Sequence, residues 1–130
     1  MAEKIDDKYL HSEVTSKIIQ AFYSVYNYFR FGFPKSVYIQ SMLIEMRKLG
    51  LDCECDKIVK IYYDKQEVGE CISEIIVNKC VVLNIETKEE PNLEDELKVY
   101  YVLRVSEIVV GLFLNFGKEP FHKRKYYPHQ

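Results

Sequence analysis

Charged and amide side chains recur along two predicted strands, at a spacing that could assemble a hydrolytic site. Glu74 begins the apolar part of the first strand, and Asn84, Glu86 and Lys88 alternate with apolar residues along the second. Because successive side chains of a strand point to opposite faces, these three share one face. A carboxylate beside a Glu-x-Lys pair can hold a divalent cation that activates water, while the lysine stabilises charge on a phosphate. The arrangement is typical of metal-dependent nucleases.

The elements that must position these residues are predicted from the spacing of apolar residues. A first helix is expected from Ser12 to about Phe31, and a second from Pro34 to Gly50, where proline and glycine mark the ends. Runs of Ile, Val and Leu bounded by turn residues predict strands. These strands cover 53–63, 68–77, 80–88 and 108–114.

A third helix is expected between the last two strands. Asn92 is a good N-terminal cap, and Leu93, Leu97, Tyr100 and Tyr101 would form the buried side. The resulting order, ααβββαβ, predicts an α/β domain with a mixed sheet and helices packed on it. The basic C-terminal residues could add an edge strand.

Length and composition limit the possible classes of protein. The 130 residues, of which 48% are hydrophobic and 29% charged, suit one globular domain. We expect this domain over residues 12–117, with a flexible segment 1–11 before it and a basic segment 118–130 after it. No apolar run approaches the roughly 20 residues of a membrane span, and no secretory signal is visible. An intracellular protein without membrane contact is the expectation.

Four cysteines raise the question of a zinc site. Cys53 and Cys55 are two residues apart on one face of a strand, and Cys71 and Cys80 lie among residues of the next strands. No Cys-x-x-Cys pair or nearby histidine accompanies them. Buried, reduced thiols are therefore expected in preference to zinc ligands.

Several short motifs follow one another in a familiar order. They are Lys17-Ile18-Ile19, Gly32, Ser36-Val37-Tyr38, Glu45, Arg47, Gly50, Tyr62-Tyr63, Val68-Gly69-Glu70 and the run from Val110 to Gly117. In this order and register the chain resembles the GxxExxY proteins, a compact branch of the PD-(D/E)xK nuclease superfamily. The resemblance runs without gaps from about Glu13 to Gly117, and it implies a restriction-endonuclease-like core.

The same resemblance implies that the active site is degenerate. The family's motif glutamate falls on Lys35, its motif aspartate on Glu74, and its Glu-x-Lys on Asn84-Ile85-Glu86. The histidine and glutamine of the following helix fall on Asp95 and Lys98, and the tyrosine on Val102. An amide is a weaker ligand for a hard cation than a carboxylate, and Glu86 removes the positive charge that would face a phosphate. The degenerate positions implied are Lys35, Glu74, Asn84, Glu86, Asp95 and Lys98.

The first functional hypothesis is a catalytically inactive nuclease-like protein that binds DNA or RNA without sequence preference. Phosphate contacts would come from the former active-site groove and the basic tail, with no cofactor. The residues expected to make them are Lys35, Lys88, Lys98, Lys123, Arg124 and Lys125. A homodimer is also expected, because the first helix is apolar around much of its circumference.

Two alternatives remain open at this point. In one, the inactive fold is a homodimeric scaffold or protein-interaction module, which the net charge of −2 favours. In the other, the site has migrated by one step along the strand and is active. Glu74 and Glu86 would then hold Mg or Mn, and Lys88 would complete the catalytic set.

Overall fold

A computed structural model describes residues 10–129, so most of the segment 1–11, predicted to be flexible, lies outside the described residues. The elements are α1 (Ser12–Phe29), α2 (Lys35–Lys48), β1 (Cys53–Tyr63), β2 (Gln66–Val77), β3 (Val81–Glu86), α3 (Leu93–Val105), β4 (Val110–Phe116) and β5 (Pro120–Tyr126). The predicted order is confirmed, and the basic C-terminal residues form β5. None of the described helices is long and apolar enough to cross a membrane.

The five strands form one mixed sheet in the order β1-β2-β3-β4-β5. β3 and β4 are parallel, joined by α3 as the crossover, and the other neighbours are antiparallel. The β2–β3 hairpin turns through Asn78 and Lys79, whose φ angles are +50° and +58°. Positive φ at both central residues matches the twist of the flanking strands, which favours a tight hairpin here.

Helices cover both faces of this sheet. Val81, Leu83 and Ile85 pack with α1 and α2 in the larger core, while Val82 packs with α3 in a smaller one. The alternation predicted for β3 is therefore confirmed. Asn84 and Glu86 lie on the α3 face because they share the parity of Val82.

The buried side of α3 differs from the prediction. Leu93 and Tyr101 are 67% and 54% exposed, whereas Asp95, Val99 and Leu103 are buried. These three recur at i, i+4 and i+8, so they share the helix face that meets the sheet. Apolar spacing alone missed this face because one of its members is a carboxylate.

The cysteines also differ in part from the prediction. All four are free, but Cys55 is exposed and the other three are only partly buried. Cys55 lies on β1, which is the edge strand of the sheet formed by residues 10–129. Desolvation raises the pKa of the Cys71 and Cys80 thiols, which disfavours the thiolate needed for metal binding.

Candidate functional site

Glu74 lies where β2 and β3 separate. Pairing between these strands covers residues 75–77 and 81–83. One step further, Glu74 Oε1 accepts a hydrogen bond of 2.8 Å from the backbone N–H of Ile85. The carboxylate thus takes the place of a backbone acceptor at the end of the ladder, which fixes its orientation.

Lys35, the first residue of α2, bridges the two glutamates. Its Nζ lies 2.8 Å from Glu74 Oε2 and 3.5 Å from Glu86 Oε2. Burial by itself lowers the pKa of Lys35, but the hydrogen bonds to Glu74 and Glu86 outweigh burial and raise it. The ammonium group is therefore charged, and it places a cation between two carboxylates on neighbouring strands.

Asp95 has two lysine partners of its own. Lys98 Nζ lies 3.1 Å from Asp95 Oδ1, and Lys88 Nζ lies 2.6 Å from Oδ2. Burial alone would raise the pKa of Asp95, but the hydrogen bonds from Lys88 and Lys98 lower it. The hydrogen bond to Asp95 in turn raises the pKa of Lys88. These two shifts favour the charged forms of Asp95 and Lys88.

Lys98 joins the two halves of the site, because its Nζ also lies 4.0 Å from Glu86 Oε2. The result is one alternating series of charges, which we call the ion-pair chain. Its members in order are Glu74, Lys35, Glu86, Lys98, Asp95 and Lys88. The carboxylate side chains are 6–19% exposed and the lysine side chains 36–59%, so ammonium groups cover the carboxylates. The formal charge of the series is zero.

The ion-pair chain contains five of the six degenerate positions expected from the sequence. The sixth, Asn84, lines a cavity of about 220 Å³ together with Glu74 and Lys98. Lys88, expected either as a phosphate ligand or as part of a migrated site, instead contacts Asp95. The site therefore brings together residues from α2, α3, β2 and β3 and from the segment after β3.

The basic tail does not extend this cluster as one patch. Lys125 forms an ion pair with Glu96 of α3, and an Nη of Arg124 donates to the carbonyl of Leu10. Lys123 is exposed. Because neighbours on a strand point to opposite faces, Arg124 lies on the α1 side of β5 and Lys125 on the α3 side.

Sequence reasoning missed the role of Asn115, because the strand predicted over 108–114 ended one residue before it. Asn115 is fully buried and belongs to β4. Its Oδ1 accepts from the backbone N–H of Lys88 at 3.0 Å, and its Nδ2 donates to the Lys88 carbonyl at 2.9 Å. This clamp fixes the backbone that carries Lys88. The available signal was a single amide inside an otherwise apolar strand.

The donor groups do not fit a divalent cation. Glu74 uses one oxygen for Ile85 and the other for Lys35, and both oxygens of Asp95 face lysines. Among residues 10–129, no group of three His, Cys, Asp or Glu side chains is arranged to hold a metal ion. Hard cations need several converging oxygens, and the oxygens of Glu74 and Asp95 already contact ammonium groups or a backbone N–H.

Comparisons with known proteins place this geometry in a family. The sequence model of the PD-(D/E)XK nuclease superfamily matches residues 12–126, from the start of α1 to the end of β5. No curated protein and no solved structure gives a match. The narrower resemblance to the GxxExxY branch stays a prediction. The match covers most of the chain, and the mixed sheet agrees with a nuclease-like core. The chain therefore belongs to the PD-(D/E)XK nuclease superfamily.

Proposed function

We propose that this chain is a catalytically inactive nuclease-like domain that acts by binding a partner. The observation that carries the proposal is the ion-pair chain. Lys35 stands between Glu74 and Glu86, where it opposes the entry of a second cation. Metal-assisted hydrolysis needs free carboxylate oxygens to hold the ion and activate water. With Glu74 Oε2, Glu86 Oε2 and both oxygens of Asp95 paired with lysines, the domain lacks the means of cleavage.

The contacts of Lys88 argue against the migrated site as well. A catalytic lysine must direct its ammonium group at the phosphate. Lys88 Nζ instead lies 2.6 Å from Asp95 Oδ2, and its backbone is clamped by Asn115. Glu86 faces Lys35 and Lys98. This distribution of partners supports a structural role for Glu86 and Lys88.

A cleavage assay tests inactivity. The protein should not cleave plasmid or oligonucleotide substrates above background with Mg²⁺ or Mn²⁺. Glu86→Ala is the matched variant, because it removes a carboxylate that the migrated site would need to hold a metal ion. Cleavage by the unaltered protein that disappears in E86A would establish an active site and overturn the proposal. Equal background in both proteins supports it.

Between the two partner classes, the surface favours protein. Ile58 and Ile72 are paired across β1 and β2, and they are 53% and 62% exposed. Val68 and Tyr62, near the tip of the same hairpin, are 63% and 61% exposed. Four exposed apolar side chains on one hairpin favour a protein interface over a phosphate-binding surface. We therefore place protein interaction first.

Nucleic-acid binding is the second candidate, supported by the lysines that cover the carboxylates. Lys98 and Lys88 are 59% and 49% exposed, so phosphates could reach them. Each already has a carboxylate partner, however, and the neutral cluster supplies little net attraction. We expect at most weak, salt-sensitive binding that is indifferent to sequence.

Fluorescence anisotropy with duplex and single-stranded probes separates the two candidates. Lys98→Ala removes a lysine of the ion-pair chain, and Lys48→Ala removes a lysine of similar exposure on α2 as the control. Binding at physiological salt that is lost in K98A and kept in K48A would put nucleic acid first. Absence of binding at that salt agrees with a protein-interaction domain.

A further inference from the structure

A second cavity lies on the α1 side of the sheet, between the end of α1 and the turn that joins β4 to β5. Its volume is about 470 Å³, within the range of small-molecule sites. Two cations, Arg30 and Lys118, and two aromatic rings, Tyr23 and Phe31, contribute to its wall. None of the lining residues belongs to the ion-pair chain. The cavity is therefore separate from the degenerate nuclease site.

Arg30 follows the last residue of α1 in a strained backbone conformation. Its φ and ψ angles are +59° and −158°, at the edge of a region that glycine almost alone occupies. The Arg30 N–H donates to the carbonyl of Tyr26 at 2.8 Å, and its carbonyl accepts from the hydroxyl of Tyr38, which is fully buried. These contacts lock the backbone on both sides. Strained residues of this kind cluster at functional sites, which makes the Arg30 side chain a candidate ligand-binding group.

The Arg30 guanidinium rests on a fixed aromatic ring. It lies over the ring of Tyr26, 5.8 Å from the centroid, in a cation–π contact. Tyr26 is only 4% exposed, and its hydroxyl donates to the carbonyls of Gly117 and Lys118 at 2.9 and 2.7 Å. Burial and then the charge of Glu119 raise the pKa of Tyr26, so this hydroxyl stays protonated as a donor. Within residues 10–129 the guanidinium forms no ion pair, so its N–H groups are available to a ligand.

The groups around the cavity match the parts of a nucleoside monophosphate. A guanidinium group binds a phosphate through two parallel N–H···O bonds. Tyr23 and Phe31 are 37% and 38% exposed and offer ring faces on which a base can stack. Asn27 can donate and accept, and the Glu119 carboxylate can accept from the hydroxyl or amine groups of a nucleoside. An inorganic anion would use only the guanidinium, and Glu119 would repel it.

We propose that this cavity binds a nucleoside monophosphate, with the phosphate on Arg30 and the base against Tyr23 and Phe31. The inference goes beyond the function proposed above, because it requires neither cleavage nor a protein partner. Lys118 Nζ already pairs with Glu89, so Arg30 is the main ligand of the phosphate. A single arginine without an ion-pair partner suits one phosphate better than the charged chain of a triphosphate.

Isothermal titration calorimetry with AMP and UMP tests the site. We expect a Kd of about 10–500 µM, and adenosine and inorganic phosphate should each bind at least about tenfold more weakly, because each offers only part of the ligand. Arg30→Ala should weaken nucleotide binding about 10- to 100-fold. Arg104→Ala is the matched control, because Arg104 is exposed and lines another cavity together with Tyr101 and Tyr127. Absence of binding by both nucleotides, or equal losses in R30A and R104A, would overturn the proposal.

Arg30→Gly supplies a readout that a purely structural role would not give. Glycine adopts this backbone conformation without strain, whereas alanine keeps a Cβ there. The Tm of R30G should therefore exceed that of R30A by about 3–8 °C, while both variants lose nucleotide binding to the same extent. Nucleotide binding by R30G with the affinity of the unaltered protein, or equal Tm values of the two variants, would contradict the proposal.

A 5′-phosphorylated single-stranded oligonucleotide distinguishes the two sources of such a ligand. Binding of this strand more tightly than AMP, with loss in R30A, would identify the end of a nucleic-acid strand as the ligand. Weaker binding of the strand than of AMP would identify the free nucleotide. Strand binding through this cavity should be kept in K98A, whereas binding through the ion-pair chain should be lost there. Since none of these readouts is cleavage or protein association, their failure leaves the functions proposed above to their own assays.

Discussion

Replacing Lys35 by methionine removes the cation at the centre of the ion-pair chain while keeping a side chain of similar length. Lys35 Nζ lies 2.8 Å from Glu74 Oε2 and 3.5 Å from Glu86 Oε2. Without the ammonium group, two largely buried carboxylates face each other with no charge between them. We therefore expect the K35M variant to be less stable than the unaltered protein.

The exposure of the three side chains sets the size of the effect. The Lys35, Glu74 and Glu86 side chains are 36%, 19% and 12% exposed. A solvent-exposed ion pair contributes about 0–1 kcal/mol, whereas breaking a buried pair costs about 3–5 kcal/mol. This site lies between those limits, so K35M should lower the free energy of unfolding by about 1–3 kcal/mol. The corresponding fall in Tm is roughly 4–10 °C for a domain of this size.

Urea and thermal unfolding measure this loss, with Lys48→Met as the control. Lys48 pairs with Glu45 at 3.2 Å, but its side chain is 67% exposed, so K48M should change stability by less than about 0.5 kcal/mol. K35M should also gain stability from Ca²⁺ or Mn²⁺, by about 2.7 kcal/mol at a hundredfold excess over Kd. At the same ion concentration, the unaltered protein should gain far less stability. Equal stability of K35M and K48M, or equal stabilisation of both proteins by the ions, would refute this account of Lys35.

Three further predictions concern Asn115, Asp95 and the packing of Gly111 against α3. Asn115→Leu should lower the free energy of unfolding by about 2–4 kcal/mol in urea, because it leaves the N–H and C=O of Lys88 without partners; a neutral effect would exclude the clamp. The pKa of Asp95 is lower in the folded protein than in the unfolded chain, where it is about 3.9. The Asp95 carboxylate therefore stabilises the fold above that unfolded pKa, and this stabilisation is lost as the pH falls through the lower folded pKa. The free energy of unfolding should therefore fall less steeply at acid pH in D95N than in the unaltered protein. An unchanged slope would contradict the lowered pKa of Asp95. A Cβ at Gly111 would collide with Val99, so G111A should cost about 1–3 kcal/mol, and adding Val99→Ala should recover part of that; strict additivity would argue against the contact.

Local chemistry made much of this fold predictable from the sequence. Alternation along β3 assigned Val82, Asn84 and Glu86 to one face, and the structure keeps them there. Turn residues bounding the apolar runs marked the strand ends, and Asn78 is of a type that tolerates positive φ. The element order followed from apolar spacing, and the motifs carried the resemblance to the nuclease superfamily. Each of these signals lies within one element or one turn.

Only the tertiary structure decided which charges meet. Lys35 and Glu86 are 51 residues apart, and their contact depends on how α2 packs against the sheet. Asp95 is buried because Lys88 and Lys98 neutralise it, a condition that periodicity along α3 does not record. Asn115 became a clamp because the segment after β3 runs beside β4. Sequence periodicity determines the side of an element on which a residue lies, but the energy of a charge depends on neighbours that other elements bring to it.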